Sequence, residues 1–436
     1  MAAELLRNLL TRNRNGEGIG LYSVCSSHPR VLEAAMQQAL MDHSPLLIES
    51  TSNQVDQFGG YTGMTPDRFV AMVHETAAAM RFPRERLLLG GDHLGPNVWQ
   101  QEAAASALAK AEDQVSAYVR AGYLKLHFDA TYACGDDPAP ALAPEVIAAR
   151  TARLCAAAER AAQERPEAPL YIIGSDVPIP GGAQHALEGL QPTSVAAVEE
   201  CIALTRQAFR RLNLDAAWER VIAVVVQPGV EFGHDSVVEY DRDQASPLSR
   251  FIAGVPGLVY EAHSTDYQTG TALRQLVEDH FALLKVGPWL TFALREALFM
   301  LAEMESLWLG SRPGVTLSHL VEIVDAAMTR DPRYWNKHYH GTEAEIRFAR
   351  NYSYSDRIRY YWPDPEIAAA VQQLQANLER HPLPLTLISQ YLPAQYQAIR
   401  AGRLVNDPAA MVRDRIGAVL GLYARAAGLT RSSVSN

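Results

Sequence analysis

The chain has 436 residues, of which 48% are hydrophobic and 20% are charged, and its formal net charge is −10. This composition is typical of a globular protein, and the negative charge disfavours binding to nucleic acid or to an anionic membrane. The four cysteines form no CxxC pair, so we expect no disulfide framework and a reducing, cytoplasmic location. No stretch reaches the roughly 20 apolar residues of a membrane span, and the N-terminus does not resemble a signal peptide.

Short apolar runs alternate with longer helical patterns between about residues 17 and 310. The eight runs are Ile19–Val24, Leu46–Glu49, Leu87–Gly90, Tyr123–Phe128, Leu170–Gly174, Ile222–Val226, Leu258–Glu261 and Ala282–Val286. Eight strands alternating with helices predict a closed parallel (β/α)₈ barrel, the TIM barrel. A doubly wound open sheet is the alternative, but it often carries a glycine fingerprint after its first strand, and CSSHPRV stands there instead.

Residues 311–436 have a different pattern. They predict helices near 365–380, 385–402 and 407–427, preceded by the aromatic segment NYSYSDRIRYYW at 351–362. We therefore predict a barrel over residues 1–310 that carries the site, and a helical extension over residues 311–436 that packs on the barrel. Arg357 and Arg359 of the aromatic segment could close over a substrate anion, or the segment could be a helix edge packed on the barrel.

Polar residues follow almost every predicted strand, at the end of the barrel where TIM-barrel proteins carry their sites. Those that follow the third to the eighth strand are Asp92, His93, Asp129, Ser175, Asp176, Glu231, His234, His263, Ser264, Thr265, Asp266, Lys285, Gly287 and Thr291. A barrel with a purely structural role would need no such set, so the sequence predicts a site at this end.

The Asp92-His93 pair is the most specific feature. Neutral imidazole binds divalent ions well, and the adjacent carboxylate can act as a general base. Alternatively, Asp92 caps the next helix and His93 packs on a loop. His263 is a second candidate metal ligand, and either Glu231 or His234 is the third, with Glu231 nearer to its strand end. A histidine inside the fourth strand, His127, is as readily a buried barrel residue as a ligand.

The remaining strand-end residues are candidates for substrate contacts. Asp129 is a second catalytic candidate. Hydroxyl groups and backbone amides near Ser264 and Thr265 and around Gly287 are suited to an oxyanion or a phosphate. Lys285 could hold the substrate, form a Schiff base, or only pair with carboxylates.

Five runs carry a family resemblance: GGDHLGPNVWQ (90–100), PGVEFGHDS (228–236), YEAHSTDYQT (260–269), LKVGPWLTFALRE (284–296) and SYSDRIRYYWP (353–363). They resemble the non-catalytic GatZ/KbaZ-type subunit of D-tagatose-1,6-bisphosphate aldolase, whose members are sometimes labelled putative tagatose-6-phosphate kinases. The sequence contains no P-loop, so it does not favour a kinase. The family is similar in turn to the class II, zinc-dependent ketose-bisphosphate aldolases, which are (β/α)₈ barrels.

The resemblance implies roles for residues of this chain. Asp92 matches the catalytic aspartate, His93 and His263 match the first and last metal histidines, and Asp129 matches an aspartate of the fourth strand. The phosphate- and substrate-binding stretches fall on Ser264, Thr265, Asp266, Lys285, Gly287 and Thr291. This chain departs from the pattern at Glu231, which stands for the middle metal histidine, at Ser264, which stands for a glycine, and at Gly287, which stands for an asparagine.

The resemblance therefore implies a metal-dependent protein of ketose-phosphate metabolism. We expect a tagatose 6-phosphate/fructose 6-phosphate 4-epimerase that opens and re-forms the C3–C4 bond. We expect zinc as the ion, with manganese, cobalt, nickel and magnesium as alternatives. The second hypothesis is a non-catalytic subunit that stabilises a separate class II tagatose-bisphosphate aldolase chain, and the third is an aldolase or another sugar isomerase. A homo-oligomer is a further expectation.

Overall fold

The computed structural model of the protein describes residues 2–138, 141–175 and 190–430. Eight parallel strands close into a barrel, with bounds β1 Leu21–Cys25, β2 Leu46–Thr51, β3 Leu87–Leu94, β4 Lys125–Phe128, β5 Leu170–Ile173, β6 Val221–Val226, β9 Val259–Ala262 and β10 Phe281–Val286. Two short strands, β7 Glu231–Phe232 and β8 Val237–Val238, form an antiparallel hairpin after β6. The predicted TIM barrel is confirmed, and each predicted apolar run overlaps one barrel strand. Asp176 lies outside the described residues.

Helices surround the barrel and continue beyond it. Their bounds are α1 Ala2–Arg14, α2 Pro29–Asp42, α3 Pro66–Ala79, α4 Ala104–Ala121, α5 Pro144–Ala162, α6 Val195–Arg211, α7 Asp215–Trp218, α8 Arg242–Ala253, α9 Gly270–Glu278, α10 Pro288–Leu309, α11 Leu320–Arg330, α12 Glu343–Tyr352, α13 Pro365–Arg380, α14 Leu385–Tyr391, α15 Pro393–Arg400 and α16 Pro408–Ala426. Proline in the first turn begins α2, α3, α5 and α10, where its missing N–H removes no helical hydrogen bond. Within the described residues, no helix has the length and apolar character of a membrane span.

The first inward layer of the barrel is apolar. It belongs to a cluster that joins α1, through Leu6, Leu9 and Leu10, to strand residues such as Leu47 and Leu88. Because these strand residues stand near the starts of their strands, α1 covers the amino-terminal end of the barrel. This end is therefore packed, and the carboxyl-terminal end is left for a site.

The second inward layer is ionic. Side chains two positions apart on a strand face the same side, so Glu49 follows Leu47, Glu261 follows Val259 and Lys285 follows Leu283 into the interior. Lys125 Nζ lies 2.6 Å from Glu49 Oε1 and 2.5 Å from Glu261 Oε2.

Lys285 completes this layer. Its ammonium group pairs with Glu49, and its Nζ lies 3.5 Å from Glu261 Oε1. A Cβ added at Gly90 would lie 2.7 Å from Glu49 Oε1, so glycine leaves the space that this carboxylate occupies. Two carboxylates and two ammonium groups thus neutralise one another in the centre of the barrel.

The C-terminal helices do not form a separate outer layer. The last of them, α16, packs against α2, α9 and α10, and its Tyr423 hydroxyl donates to the Thr265 carbonyl at 2.7 Å. The helix predicted over 385–402 is two helices, because Pro393 begins α15 two residues after α14 ends. The boundary near residue 310 stays a prediction, but α16 belongs to the ring of helices around the barrel.

We predict that Lys125→Met destabilises the protein by about 3–5 kcal/mol, because it leaves two buried carboxylates with one cation fewer. Urea unfolding measures the change. Lys110→Met is the matched control, since Lys110 pairs with Glu102 at a partly exposed position and its loss should cost less than about 1 kcal/mol. Equal free energies of unfolding for the two variants would contradict the ionic layer as a structural constraint.

Candidate metal centre and substrate cavity

Two histidine side chains face each other above the ionic layer. His93 Nε2, at the end of β3, lies 3.2 Å from His263 Nδ1, which directly follows β9. By strand alternation the Asp92 side chain points into the barrel and the His93 side chain would point outward, but His93 has a φ of 48°. This left-handed conformation, which is uncommon for a residue other than glycine, re-aims the imidazole.

The outer nitrogen of each ring is held by a carboxylate. His93 Nδ1 lies 2.7 Å from Asp129 Oδ2, and His263 Nε2 lies 3.0 Å from Glu261 Oε1. An ionised carboxylate only accepts hydrogen bonds, so each ring places its N–H on the carboxylate side. Burial would lower the pKa of His93, but Asp92 and Asp129 together raise it. The two facing nitrogens, 3.2 Å apart, are therefore joined either by a proton on His93 Nε2 or by a cation in its place.

These residues fit a divalent metal ion. Two nitrogens bound to one ion at about 2.0–2.1 Å with tetrahedral geometry lie about 3.3 Å apart, close to the observed separation. A metal-binding histidine usually donates its second N–H to a carboxylate or a carbonyl, which is the pattern here. Burial lowers the pKa of His263 to about 3, so this ring is neutral and available as a ligand.

The structure brings Asp92 and His127 into the same group, with all four ligand atoms within 4.8 Å of one another. The predicted third ligand, Glu231, is not part of this group among the described residues. It lies in the β7–β8 hairpin, where its Oε1 accepts the Phe232 amide at 3.0 Å. The other candidate, His234, contacts the Ser353 hydroxyl at 3.1 Å. Asp92 and His127, rather than Glu231 or His234, are therefore the residues grouped with the two facing histidines.

His127 was not selected as a site residue from the sequence, and its contacts assign it to positioning. Its Nδ1 lies 2.9 Å from Asp92 Oδ1, and its Nε2 donates to the Gly174 carbonyl at 2.8 Å. Both ring nitrogens are thus engaged. Asp92 thus lies beside the two facing histidines with its Oδ1 held by His127, and the two imidazole nitrogens of His93 and His263 suit several first-row divalent ions.

Asp92 is tied to the ionic layer below it. Lys285 Nζ lies 2.7 Å from Asp92 Oδ1. Burial alone would raise the pKa of Asp92, but Lys285 and the neighbouring histidines hold it well below its usual range. The three carboxylates around Lys285 in turn raise the pKa of its ammonium group despite its burial. A protonated amine is not a nucleophile, so the arrangement does not favour a Schiff base at Lys285.

Asp129 lies behind His93 rather than in the cavity. Its carboxylate accepts hydrogen bonds from His93, Thr131 and Ser175. Burial would raise the pKa of Asp129, but these hydrogen bonds and the nearby histidines lower it to about 2. Gly95, directly after β3, allows the backbone there to approach Asp129 closely, because a Cβ at position 95 would lie 1.8 Å from the Asp129 carbonyl oxygen. Asp129 is thus placed to orient the His93 imidazole, and its catalytic role stays a prediction.

A cavity opens above the facing histidines. Its wall combines barrel loops with the C-terminal extension. The lining residues are Cys25, Ser26, Ser27, His28, Thr51, Asn53, Gln54, Tyr61, Asp92, His93, Phe232, His263, Ser264, Asp266, Lys285, Gly287, Pro288, Thr291, Arg359 and Tyr360. The C-terminal extension therefore contributes Arg359 and Tyr360 to the cavity wall.

The two arginines of the aromatic segment have different positions. Arg359 lines the cavity, donates to the Asp356 carbonyl at 3.1 Å, and lies 4.6 Å from the centre of the Tyr360 ring. Arg357 does not line the cavity, and one of its nitrogens contacts His338 at 3.2 Å. Of the two predicted anion-binding arginines, only Arg359 has direct access to the cavity.

Three predicted phosphate- or substrate-binding residues make hydrogen bonds within the chain, and two of them, Gly287 and Thr291, also line the cavity. The Thr265 hydroxyl is fully buried and donates to the Lys285 carbonyl at 2.6 Å. The Thr291 hydroxyl donates to Asp356. The Gly287 amide donates to the Asp266 carboxylate at 3.0 Å. Ser264, with a φ of 52°, remains at the cavity wall.

Fold and site define the class of the protein: a TIM barrel with a candidate metal centre and a polar cavity at the carboxyl ends of its strands. The chain belongs to the family described as D-tagatose-1,6-bisphosphate aldolase subunit GatZ/KbaZ-like, whose model matches residues 6–428. The family resemblance of the sequence is thereby confirmed.

Three individual proteins are similar to this chain to very different degrees. The D-tagatose-1,6-bisphosphate aldolase subunit GatZ of Klebsiella pneumoniae is 49% identical over 419 residues, which cover 96% of this chain and 98% of that protein. A crystal structure of a probable tagatose 6 phosphate kinase from Sinorhizobium meliloti is 46% identical, has a TM-score of 0.86, and is matched over 93% of this chain and 100% of its own. Fructose-bisphosphate aldolase of Campylobacter jejuni aligns at 12% identity with a TM-score of 0.45, over 87% of this chain and 93% of its own.

We predict that His93→Ala and His263→Ala each lose bound divalent metal and keep the fold. Each variant removes one of the two facing nitrogens, and elemental analysis with circular dichroism checks the result. His234→Ala is the control and should keep its metal, because this histidine lies in the β7–β8 hairpin outside the group. Wild-type metal content in both cavity variants would refute the centre.

Proposed function

We propose that this chain is a subunit of a tagatose-bisphosphate aldolase system, and that its own barrel binds a phosphorylated ketose at a divalent metal ion. The subunit role is supported by 49% identity over 96% of the chain to a protein that carries this name. The sequence alone favoured an independent 4-epimerase and kept the non-catalytic subunit as the alternative. The name of the relative supports that alternative more directly, so a separate catalytic aldolase chain is the proposed partner.

A second function, epimerisation at C4, is supported by the site itself. The observation that carries it is the pair of imidazole nitrogens 3.2 Å apart, each ring oriented by a carboxylate. A chain that only stabilised a partner would have no physical need for this arrangement at the floor of a cavity. We therefore propose that the chain also interconverts tagatose 6-phosphate and fructose 6-phosphate, which differ only at C4.

The residues of the chain fit this reaction. A divalent ion held by His93 and His263, zinc in the first place, would supply Lewis-acid polarisation of the ketose carbonyl. Asp92 lines the cavity and takes the proton of the C4 hydroxyl as the C3–C4 bond opens. The aldehyde half turns and re-adds through its other face, and Asp92 returns the proton. Lys285, 2.7 Å from Asp92, keeps this carboxylate ionised before the substrate reacts.

We predict that Asp92→Asn lowers epimerase turnover by about 10²–10⁴-fold, because the amide cannot accept the C4 proton. His93 and His263 remain, so we expect the variant to stay folded and to retain metal. The measurement is conversion of fructose 6-phosphate to tagatose 6-phosphate by purified, metal-loaded protein. Asp325→Asn, which removes a carboxylate paired with Arg350, is the control and should keep its turnover. Wild-type turnover of Asp92→Asn would overturn this mechanism.

The subunit role has its own test. We predict that adding this chain to the catalytic aldolase chain of the same organism raises the half-life of its activity on tagatose 1,6-bisphosphate. If the chain acts only by stabilising the partner, His93→Ala should raise this half-life as much as wild type does, since the substitution leaves the outer surface intact. If neither wild type nor His93→Ala changes the half-life of the aldolase activity, the subunit role is refuted, independently of the epimerase assay.

A further inference from the structure

The loops after the last two strands of a TIM barrel commonly bind phosphate, through amides at the start of a helix. In this chain those amides are already in use. The Gly287 and Trp289 amides both donate to Asp266 Oδ1, at 3.0 and 2.8 Å. Pro288 has no N–H, and the Leu290 amide donates to the Gly287 carbonyl at 3.0 Å. The start of α10 therefore holds a carboxylate of the chain itself in the position of an external anion.

The Asp266 carboxylate also faces the cavity in which a ligand would bind. It lines the cavity, and its second oxygen, Oδ2, makes no hydrogen bond with a described residue. Burial raises the pKa of Asp266 to about 6, so most of the carboxylate is still ionised at neutral pH. An ionised carboxylate accepts hydrogen bonds from hydroxyl groups and repels a phosphate dianion.

The position of Asp266 indicates which end of the substrate it would contact. Asp266 and His263 both follow β9, and His263 is one of the two histidines proposed to hold the ion that polarises the C2 carbonyl. The carbon next to C2 at the chain end is C1. In the orientation that we infer, the group on C1 lies on the side of the cavity that Asp266 lines, and the far end of the sugar points away from it.

A cation for the phosphate is supplied by a different element, the C-terminal extension, whose Arg359 also acts on the Asp266 carboxylate and lowers its pKa against the effect of burial. Of the cavity-lining side chains, Lys285 and Arg359 carry a permanent positive charge, and Lys285 is surrounded by Glu49, Asp92 and Glu261. Arg359 forms no ion pair with a described residue; it donates to the carbonyls of Ser355 and Asp356 and to the Tyr360 hydroxyl. Its charge is thus available to a bound anion.

We propose that Asp266 makes this site specific for ketoses with a free C1 hydroxyl and a phosphate only at the far end, which Arg359 binds. Asp266 accepts a hydrogen bond from the C1 hydroxyl and excludes ketose 1-phosphates and 1,6-bisphosphates. This inference rests on the ketose-phosphate binding of the proposed function and does not require turnover. It moves the phosphate from the strand-seven and strand-eight loops, where the sequence placed it, to the C-terminal extension.

Calorimetric titration of the metal-loaded protein tests the inference with three probes: fructose 6-phosphate, fructose 1-phosphate and fructose 1,6-bisphosphate. We expect wild type to bind fructose 6-phosphate at least about tenfold more tightly than either 1-phosphorylated sugar, because like charges placed together disfavour the wrong ligand. Equal or tighter binding of either 1-phosphorylated sugar would overturn the proposal without any variant.

Two variants assign the effect to residues. Asp266→Asn keeps an acceptor for the Gly287 and Trp289 amides but removes the charge, so the preference for fructose 6-phosphate should shrink about tenfold. Arg359→Gln should weaken fructose 6-phosphate binding about tenfold. Arg333→Gln is the matched control, since this exposed arginine pairs with Asp331 away from the cavity, and it should bind as wild type does. An unchanged preference in folded Asp266→Asn would refute its role.

The outcomes separate this inference from the proposed reaction. Selective binding of fructose 6-phosphate without conversion to tagatose 6-phosphate would refute the epimerase and support the inference. Conversion of fructose 6-phosphate together with equal binding of the bisphosphate would support the epimerase and refute the inference. Absence of binding by all three sugars would refute both the inference and the ketose site on which it rests.

Discussion

The buried ion pairs inside the barrel constrain everything above them. Glu49, Lys125, Glu261 and Lys285 meet where each is almost completely removed from water, and such groups are tolerated only when every charge is matched. This layer reaches the site by two routes. Lys285 contacts Asp92, and Glu261 holds the outer nitrogen of His263. The ionisation of Asp92 and the orientation of one proposed metal ligand are thus set by the same four charges.

Much of this arrangement is visible in the sequence, because residues two positions apart on a strand point to the same side. Leu47 and Glu49, or Val259, Glu261 and His263, are successive inward positions of single strands, so the alternation of apolar runs predicted both the barrel and the layer that carries the site. The ionic layer was overlooked even though charged residues inside apolar strands signal it. Lys125 within Tyr-Leu-Lys-Leu is the clearest case.

Other features depend on contacts between distant parts of the chain. Strand alternation gives no indication that His93 turns inward, because its left-handed backbone is fixed by the packed strand ends around it. Nor does the sequence around Asp266 show that this carboxylate accepts hydrogen bonds from backbone amides 21 and 23 residues later, at the start of α10. Glu231 was predicted as a ligand because it follows the sixth strand, but it lies in a hairpin and is not part of the group that Asp92, His93, His127 and His263 form among the described residues.

The proposed subunit role and the proposed site are compatible. If Asp266 excludes a phosphate from C1, then cleavage of a 1,6-bisphosphate cannot take place in this cavity and belongs to the partner chain. A monophosphate site beside an aldolase would place two related reactions in one assembly. Such a subunit is non-catalytic toward the bisphosphate while still acting on a related sugar.

The position of α16 affects how the protein is made. This helix covers the seam between the first and the last strands of the barrel, yet it is encoded about 120 residues after β10. During synthesis all eight strands leave the ribosome well before the helix that seals them. Until residue 426 emerges, the nascent barrel has an uncovered apolar seam, which is a binding surface for chaperones. The site is therefore completed late in the synthesis of the chain.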